Sequence, residues 1–178
     1  ERFDEIYQRE FADAFAAKFG FVAWGEGDAD LVEGAFALMQ RAEVDMTLFF
    51  RRLALVDPHA PETAVLEDAF YDAGKQTANH PAVEAWLHRW ASRVVSDGEP
   101  NDLRQRRMNA ANPLYVLRNY LAQEAIERAE QGDPSMIHAL LKVLRHPYDE
   151  QPGMESFALK RPEWARHKPG CSMLSCSS

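Results

Sequence analysis

The two cysteines are the first residues in this chain whose chemistry could matter. Cys171 and Cys176 are the only cysteines among 178 residues, and both lie close to the C-terminus. They cannot staple a folded core as a disulfide framework does. An accessible thiol in the polar, locally basic stretch 167–178 becomes reactive if its pKa is lowered. The Cys-x4-Cys spacing is not the CxxC of dithiol oxidoreductases, so spacing alone favours inert terminal cysteines.

Two histidines and a glutamate recur along one predicted helix. His80, Glu84 and His88 are four residues apart, which places them on one helix face, where they could donate to a divalent metal. The alternative reading is that His80 flanks the helix start beside Pro81 while the other two residues face solvent. No HExxH motif is present, and we favour the second reading, so the prediction is that the chain has no metal site.

A short basic segment could grip phosphate. Arg104, Arg106 and Arg107 precede a predicted helix beginning at Asn112-Pro113, an arrangement superficially similar to a helix-turn-helix. The whole chain opposes this, because it carries 28 acidic and 20 basic residues and a formal net charge of -8. Arginines on a short helix more often pair with nearby carboxylates or a partner surface. We therefore predict no nucleic-acid partner.

Other catalytic patterns are missing from the sequence. It has no GxSxG elbow and no glycine-rich phosphate loop, and its histidines form no recognisable triad. The acidic run from Glu26 to Glu33 lacks the twelve-residue spacing of a calcium loop and is better explained as a loop followed by a helix cap. The prediction is that this chain contributes no catalytic, cofactor-binding or metal-binding residue.

The elements that position these residues are helices. Apolar residues recur every three or four positions up to about Arg145, and no alternating strand pattern of useful length appears. The first helix is predicted to bury one face made of Phe3, Ile6, Tyr7, Phe11, Phe15 and Phe19, with Gly20 as its stop. Seven more helices are predicted to begin near Asp30, Asp45, Thr63, Pro81, Asn101, Pro113 and Asp133. The predicted fold class is all-α, with about eight helices.

Proline placement divides the chain. Six of the ten prolines stand before or at the start of a predicted helix, and the other four fall in residues 146–178. We therefore predict a helical body over residues 1–145 and an irregular, proline-rich tail over residues 146–178. No apolar stretch is long enough to span a bilayer, so the sequence favours a soluble, cytoplasmic protein with no membrane partner. Since residue 1 is not Met and already fits a helical pattern, we expect a piece of a longer chain.

Four stretches carry a family resemblance. Residues 112–126, which read Asn-Pro-Leu-Tyr-Val-Leu-Arg-Asn-Tyr-Leu-Ala-Gln-Glu-Ala-Ile, resemble the selenoprotein O family. Three further stretches agree with it: residues 45–51 with the following Leu53, Arg-Pro-Glu-Trp-Ala at 161–165, and the ending Cys176-Ser177-Ser178. They stand in the family's order and together span most of the chain.

The resemblance implies a longer parent protein with a protein-kinase-like fold, of which this chain would be the C-terminal helical part. Members of the family resemble pseudokinases that transfer AMP from ATP to protein hydroxyls. Their nucleotide-binding, magnesium-binding and catalytic residues lie in the N-terminal part, so ATP and Mg would bind outside this segment. The implied partners are the N-terminal kinase-like portion of the same protein and protein substrates with Ser, Thr or Tyr hydroxyls.

The resemblance gives one residue here a function. The antepenultimate position, here Cys176, is selenocysteine in some relatives and cysteine in others. Our hypothesis is a reversible disulfide between Cys176 and a cysteine of the kinase-like portion, with Cys171 as a less favoured partner or resolving thiol. The alternative function is a non-catalytic α-helical protein-interaction module. The two differ in one expectation: a segment of a larger enzyme should expose an apolar patch where the rest packs.

Overall fold

The computed structural model describes residues 2–168, 170 and 171, and these are helical or irregular. The α-helices are α1 Arg2–Phe19, α2 Asp28–Ala42, α3 Met46–Leu53, α4 Ala73–Ser96, α5 Asn101–Ala111, α6 Asn119–Glu130 and α7 Ser135–Leu144. Three 3₁₀ helices cover Thr63–Ala69, Glu155–Ala158 and Glu163–Ala165. Within the described residues there is no strand, only one isolated antiparallel bridge between Val44 and Phe70. The predicted all-α class is confirmed.

The chain forms two compact units that divide after Asn112. Regular α-helix ends at Leu144. Among the described residues, all α-helices therefore lie before the predicted boundary between residues 145 and 146. This boundary falls inside the second unit. No described helix combines the length and the apolar character that crossing a bilayer requires.

The first unit, up to Asn112, is built around an aromatic core. Phe19, Phe50, Trp86 and Trp90 are almost fully buried, and the Phe19 and Phe50 ring centroids are 5.0 Å apart. Burying each such side chain contributes about 1.5–3 kcal/mol. Each indole also finds an acceptor: Trp90 Nε1 donates to the Phe19 carbonyl at 2.8 Å, and Trp86 Nε1 donates to the Leu31 carbonyl at 2.9 Å. The core thus fixes the end of α1 and the start of α2 as well as filling space.

Two predicted helix starts can be compared with their caps. Asp45 is the N-cap of α3, as predicted: its Oδ1 accepts from the Leu48 amide at 3.0 Å, and its Oδ2 accepts from the Tyr71 hydroxyl at 2.6 Å. Helix α2 instead begins two residues before the predicted Asp30, after Gly27 in the left-handed conformation. The carboxylate that is buried at the start of α2 is that of Asp28, which forms an ion pair with Arg93 at 2.8 Å.

Other predicted helix starts were wrong. Pro81 lies inside α4, which begins at Ala73 with Asp72 capping the Lys75 amide. The helix predicted from Pro113 begins only at Asn119. Residues 113–118 are not helical, because the amides of Leu114 and Tyr115 donate to the Pro147 carbonyl instead of entering a helix.

The first half of α1 was also predicted wrongly. Of the six residues expected on its buried face, only Phe19 is buried and Phe15 is partly buried. The side chains of residues 3–11 are all exposed. A period of three to four residues shows that a helix has an apolar face but not where that face finds a partner.

The second unit, from Pro113 onward, packs α6 and α7 against the irregular chain that follows them. Its core consists of Tyr120, Leu121, Ala125, Met136, Leu140, Ala165 and Cys171, with Phe157 packed against it. The described residues after Arg145 form two short 3₁₀ helices and otherwise irregular chain, and parts of them are buried in this core.

Arg104 provides a test of the first unit. Only 1% of this residue is exposed, and its guanidinium donates to the carbonyls of Ala54 at 3.0 Å and Val56 at 2.8 Å, just after α3. Burial lowers the pKa of Arg104 to about 10, so the group stays charged at neutral pH. We predict that Arg104→Met lowers the free energy of unfolding by about 3–5 kcal/mol, since buried carbonyls lose their donor. Urea unfolding followed by tryptophan fluorescence measures this.

The matched control is Arg106→Met, at an exposed position of α5 whose guanidinium pairs with Asp102 at 2.9 Å. An exposed i,i+4 pair contributes only about 0.3–0.5 kcal/mol. Equal losses for the two variants would contradict the role given to Arg104.

Candidate functional site

The Cys171 thiol lies in the core of the second unit. Cys171 is unpaired, only 3% exposed, and packed in the apolar cluster around Tyr120 and Met136. The expectation of an accessible thiol is therefore wrong at this position. A resolving role for Cys171 remains a prediction and requires local opening of its packing. Cys176 lies outside the described residues.

The turn that carries Cys171 is held against α6. The Cys171 amide donates to the Lys168 carbonyl at 3.1 Å, and Lys168 Nζ lies 2.5 Å from Glu127 Oε1. Gly170 has φ +84°, and a Cβ there would overlap the side-chain amide of Gln123. Gln123 in turn donates to Glu127 at 3.0 Å. Two α6 side chains four residues apart thus fix the turn that buries the thiol.

The second unit also contains a groove of about 540 Å³. Its apolar lining includes Tyr120, Leu121, Met136 and Phe157, which also belong to the Cys171 cluster. Its polar lining residues are Glu124, Arg128, Ser135, Ser156 and Lys160. An apolar floor with a few polar groups is typical of binding sites. The groove is therefore a candidate binding site.

Sequence reasoning missed this groove. It forms because the 3₁₀ helix Glu155–Ala158 and the chain after it pack against α6 and α7. No periodic pattern marks such a segment. The only available signal was the family-like stretch 161–165, whose Trp164 packs edge-on against Tyr120 with ring centroids 6.2 Å apart.

The histidine row lies along a shallow cavity of about 360 Å³ in the first unit. His80, Glu84 and His88 all line it, and His80 Nε2 is 3.0 Å from the Thr63 hydroxyl. Over the described part of the chain, no group of three or more His, Cys, Asp or Glu residues is arranged to hold a metal ion. His80 is inside α4 and not at the helix start as predicted.

Two of the three arginines of the basic segment pair with nearby carboxylates, as the alternative favoured from the sequence predicts, whereas Arg104 donates to backbone carbonyls. Arg106 pairs with Asp102, and Arg107 contacts both Glu99 oxygens at 2.9 and 2.7 Å. Arg107 also donates to the Gly20 carbonyl at 2.9 Å, the residue after α1. The segment thus joins parts of the first unit to one another.

The described residues do not fit a bound magnesium nucleotide. No acidic cluster suits a divalent cation. The groove of the second unit is lined by the cationic side chains of Arg128 and Lys160 and by an apolar floor. The sequence has no glycine-rich loop that could bind phosphates.

The described residues thus form an all-helical fold with a groove in its second unit. A family model described as protein adenylyltransferase SelO matches residues 1–145. The chain belongs to this family, as the sequence resemblance predicted.

Relatives named protein nucleotidyltransferase YdiU are highly similar. The chain is 56% identical to the one from Tolumonas auensis over 178 residues, which is 100% of this chain and 34% of that protein. It is 54% identical to the one from Aromatoleum aromaticum over 173 residues, or 97% and 33% of the two lengths. The chain spans about a third of the length of these curated relatives.

Gly170 offers a direct test of the Cys171 turn. We predict that Gly170→Ala speeds maleimide labelling of Cys171 by at least about tenfold, because the new Cβ pushes the turn away from Gln123. Peptide mapping by mass spectrometry separates Cys171 from Cys176. The control is Gly153→Ala, where φ is +83° but no atom lies within 4 Å of the added Cβ. If both variants speed labelling equally, backbone strain and not the Gln123 contact exposes the thiol.

The Lys168–Glu127 pair predicts a pH window. Their mutual hydrogen bond raises the pKa of Lys168 and lowers the pKa of Glu127. The glutamate contribution is present above its unfolded pKa of about 4.3 and is lost as pH falls; the lysine contribution is present below about 10.4 and is lost as pH rises. The urea midpoint of wild type should therefore exceed that of Lys168→Met most between about pH 5 and 10. A pH-independent difference would contradict this role.

Proposed function

We propose that this chain is the C-terminal helical segment of a longer, kinase-like protein adenylyltransferase. The whole protein transfers AMP from ATP to Ser, Thr or Tyr hydroxyls of other proteins. The hydroxyl oxygen forms a bond to the α-phosphorus, the bond to the leaving pyrophosphate breaks, and the hydroxyl proton is released. The observation that carries this proposal is the SelO family match over residues 1–145, together with the relatives named protein nucleotidyltransferase.

In this proposal the segment supports the catalytic portion and does not bind the nucleotide. Three features favour that division. The described residues include no group of three or more His, Cys, Asp or Glu side chains placed to hold a metal, and the groove of the second unit has an apolar floor. The chain also spans only a third of the relatives' length, which leaves room for ATP and Mg to bind elsewhere. Pro-Leu-Tyr at 113–115 and the other family-like stretches then serve as packing elements.

A second part of the proposal concerns Cys176. We expect its thiol and a cysteine of the remaining protein to lose two electrons and two protons to a small disulfide, which is reduced to two thiols. Burial of Cys171 favours Cys176 as the exchanging residue, since attack requires an accessible thiolate. Non-reducing peptide mapping of the whole protein, with and without glutathione disulfide, tests this. A Cys176 thiol that stays free under oxidant, with unchanged activity, contradicts it.

The alternative function is a protein-interaction module without catalysis, and the groove of the second unit favours it. The two functions predict different behaviour with nucleotide, because only the adenylyltransferase transfers a labelled group.

On the adenylyltransferase proposal, the longer protein incubated with Mg and ATP labelled at the α-phosphate should leave label on a protein substrate. ATP labelled at the γ-phosphate should leave none. Transfer of the γ label instead would make it a phosphotransferase and overturn the proposal.

The chain alone gives a further prediction. Isothermal titration of the 178-residue chain with ATP and magnesium should show no binding, because the described residues provide neither a phosphate cradle nor a metal site. The same titration with the longer protein is the positive control. Micromolar affinity in the chain alone, equivalent to about 8 kcal/mol, would place a nucleotide site within this segment.

A further inference from the structure

The first three turns of α1 are exposed on every side, although they carry large apolar side chains. Phe3 is 78% exposed and Tyr7 is 55% exposed, and Ile6 and Phe11 are also exposed. Phe3, Tyr7 and Phe11 are four residues apart and so share one face of the helix. We call these four residues the α1 stripe. Only from Ala12 onward does α1 begin to be covered by the first unit.

An exposed apolar stripe of this size is unusual on the surface of a folded protein that has no partner. Four large side chains at these exposures amount to roughly 400 Å² of apolar area, given about 150–250 Å² for each aromatic residue. That is within the range of the largest patches on single proteins, which are often functional. A helix gains most of its stability from packing its apolar face, and among the described residues only Phe11 of this stripe packs against the core, on Phe15 and Trp24.

The stripe is connected to the folded core by stacked rings. The centroids of Phe3 and Tyr7 are 6.5 Å apart, those of Tyr7 and Phe11 are 6.2 Å apart, and Phe11 lies 4.3 Å from Phe15. Phe11 also meets Trp24 edge-on at 6.3 Å. The rings therefore form a continuous row from the exposed end of α1 into the core. Such pre-ordered aromatic residues are typical of interface hot spots.

We propose that the α1 stripe is the docking surface for the remaining two-thirds of the longer protein, and this rests on the proposed function. The length of the relatives supports this occupant. They are about three times as long as this chain, so a large part of the longer protein must pack against some surface of it. Interfaces between domains of one chain typically bury about 600–1,500 Å², and the stripe supplies the apolar centre of such an interface. The matching surface is an apolar groove with basic residues at its rim.

Charge favours this occupant over a second copy of the chain. Between Phe3 and Asp13 the sequence carries four acidic residues and one basic residue, and the single arginine, Arg9, already pairs with Glu10. Two such helices placed side by side bring like charges together, which opposes self-association. A groove rimmed by Lys or Arg complements the same charges.

Hydrogen exchange tests the proposal without relying on catalysis. Amides of residues 3–11 should exchange rapidly in the 178-residue chain and at least about tenfold more slowly in the longer protein. The difference should not depend on protein concentration. Equal exchange in both proteins overturns the proposal, and protection that appears in the short chain as its concentration rises assigns the stripe to a second copy instead.

A matched pair of substitutions locates the contact. Tyr7→Ser in the longer protein should reduce the protection of residues 3–11 by at least about tenfold, because a buried aromatic anchor is lost. Gln8→Ser makes the same replacement at the next position, outside the stripe, and should leave the protection unchanged. Equal effects of the two variants would show that helix propensity, not docking, controls exchange.

The readout also separates this proposal from the function itself. Protection of residues 3–11 without AMP transfer would uphold the docking surface and overturn the catalytic proposal. AMP transfer without protection of residues 3–11 would uphold the catalytic proposal and overturn the docking surface.

Discussion

The first unit depends on one constraint: buried carbonyls at helix ends must find donors. The last carbonyls of a helix have no partner within it. Here Trp90 supplies one for Phe19 at the end of α1, and Asn112 Nδ2 donates to the neighbouring Lys18 carbonyl at 2.9 Å. Arg104 serves the carbonyls after α3. Each donor comes from α4, α5 or the residue after α5. These bonds therefore join helices that are distant in sequence, and the aromatic core packs between the helices so joined.

The sequence predicted the helices where local physics decides and failed where distant contacts decide. Asp45 was recognisable because an N-cap acts on an amide three residues away. Pro81 was misplaced because a proline starts some helices and is tolerated inside others when packing holds both halves. The amides of Leu114 and Tyr115 bond to Pro147, more than thirty residues away, so no local pattern could have ended the predicted helix there.

The candidate site was less predictable than the fold. The polar, basic composition of residues 167–178 suggested an accessible thiol, but the turn at Cys171 is held against α6 by Lys168 and Gly170, and only the tertiary structure shows this. The Arg106–Asp102 pair of α5 was predictable because its two residues are only four positions apart on one helix. The groove was not, since its floor comes from three separate segments. Family resemblance, in contrast, needed no knowledge of contacts.

On the proposed function, the family-like stretches contribute to adenylyl transfer through the contacts that they make within this chain. Asp45 caps α3, Asn112 joins α1 to α5, and Trp164 packs on Tyr120 within the second unit. All three are contacts that fix geometry. In phosphoryl-type transfer, catalysis comes mainly from holding groups in place, and small displacements cost rate. On the proposed function, this chain contributes rigidity: its aromatic core holds α1 in place, and the α1 stripe passes that order to the surface it contacts.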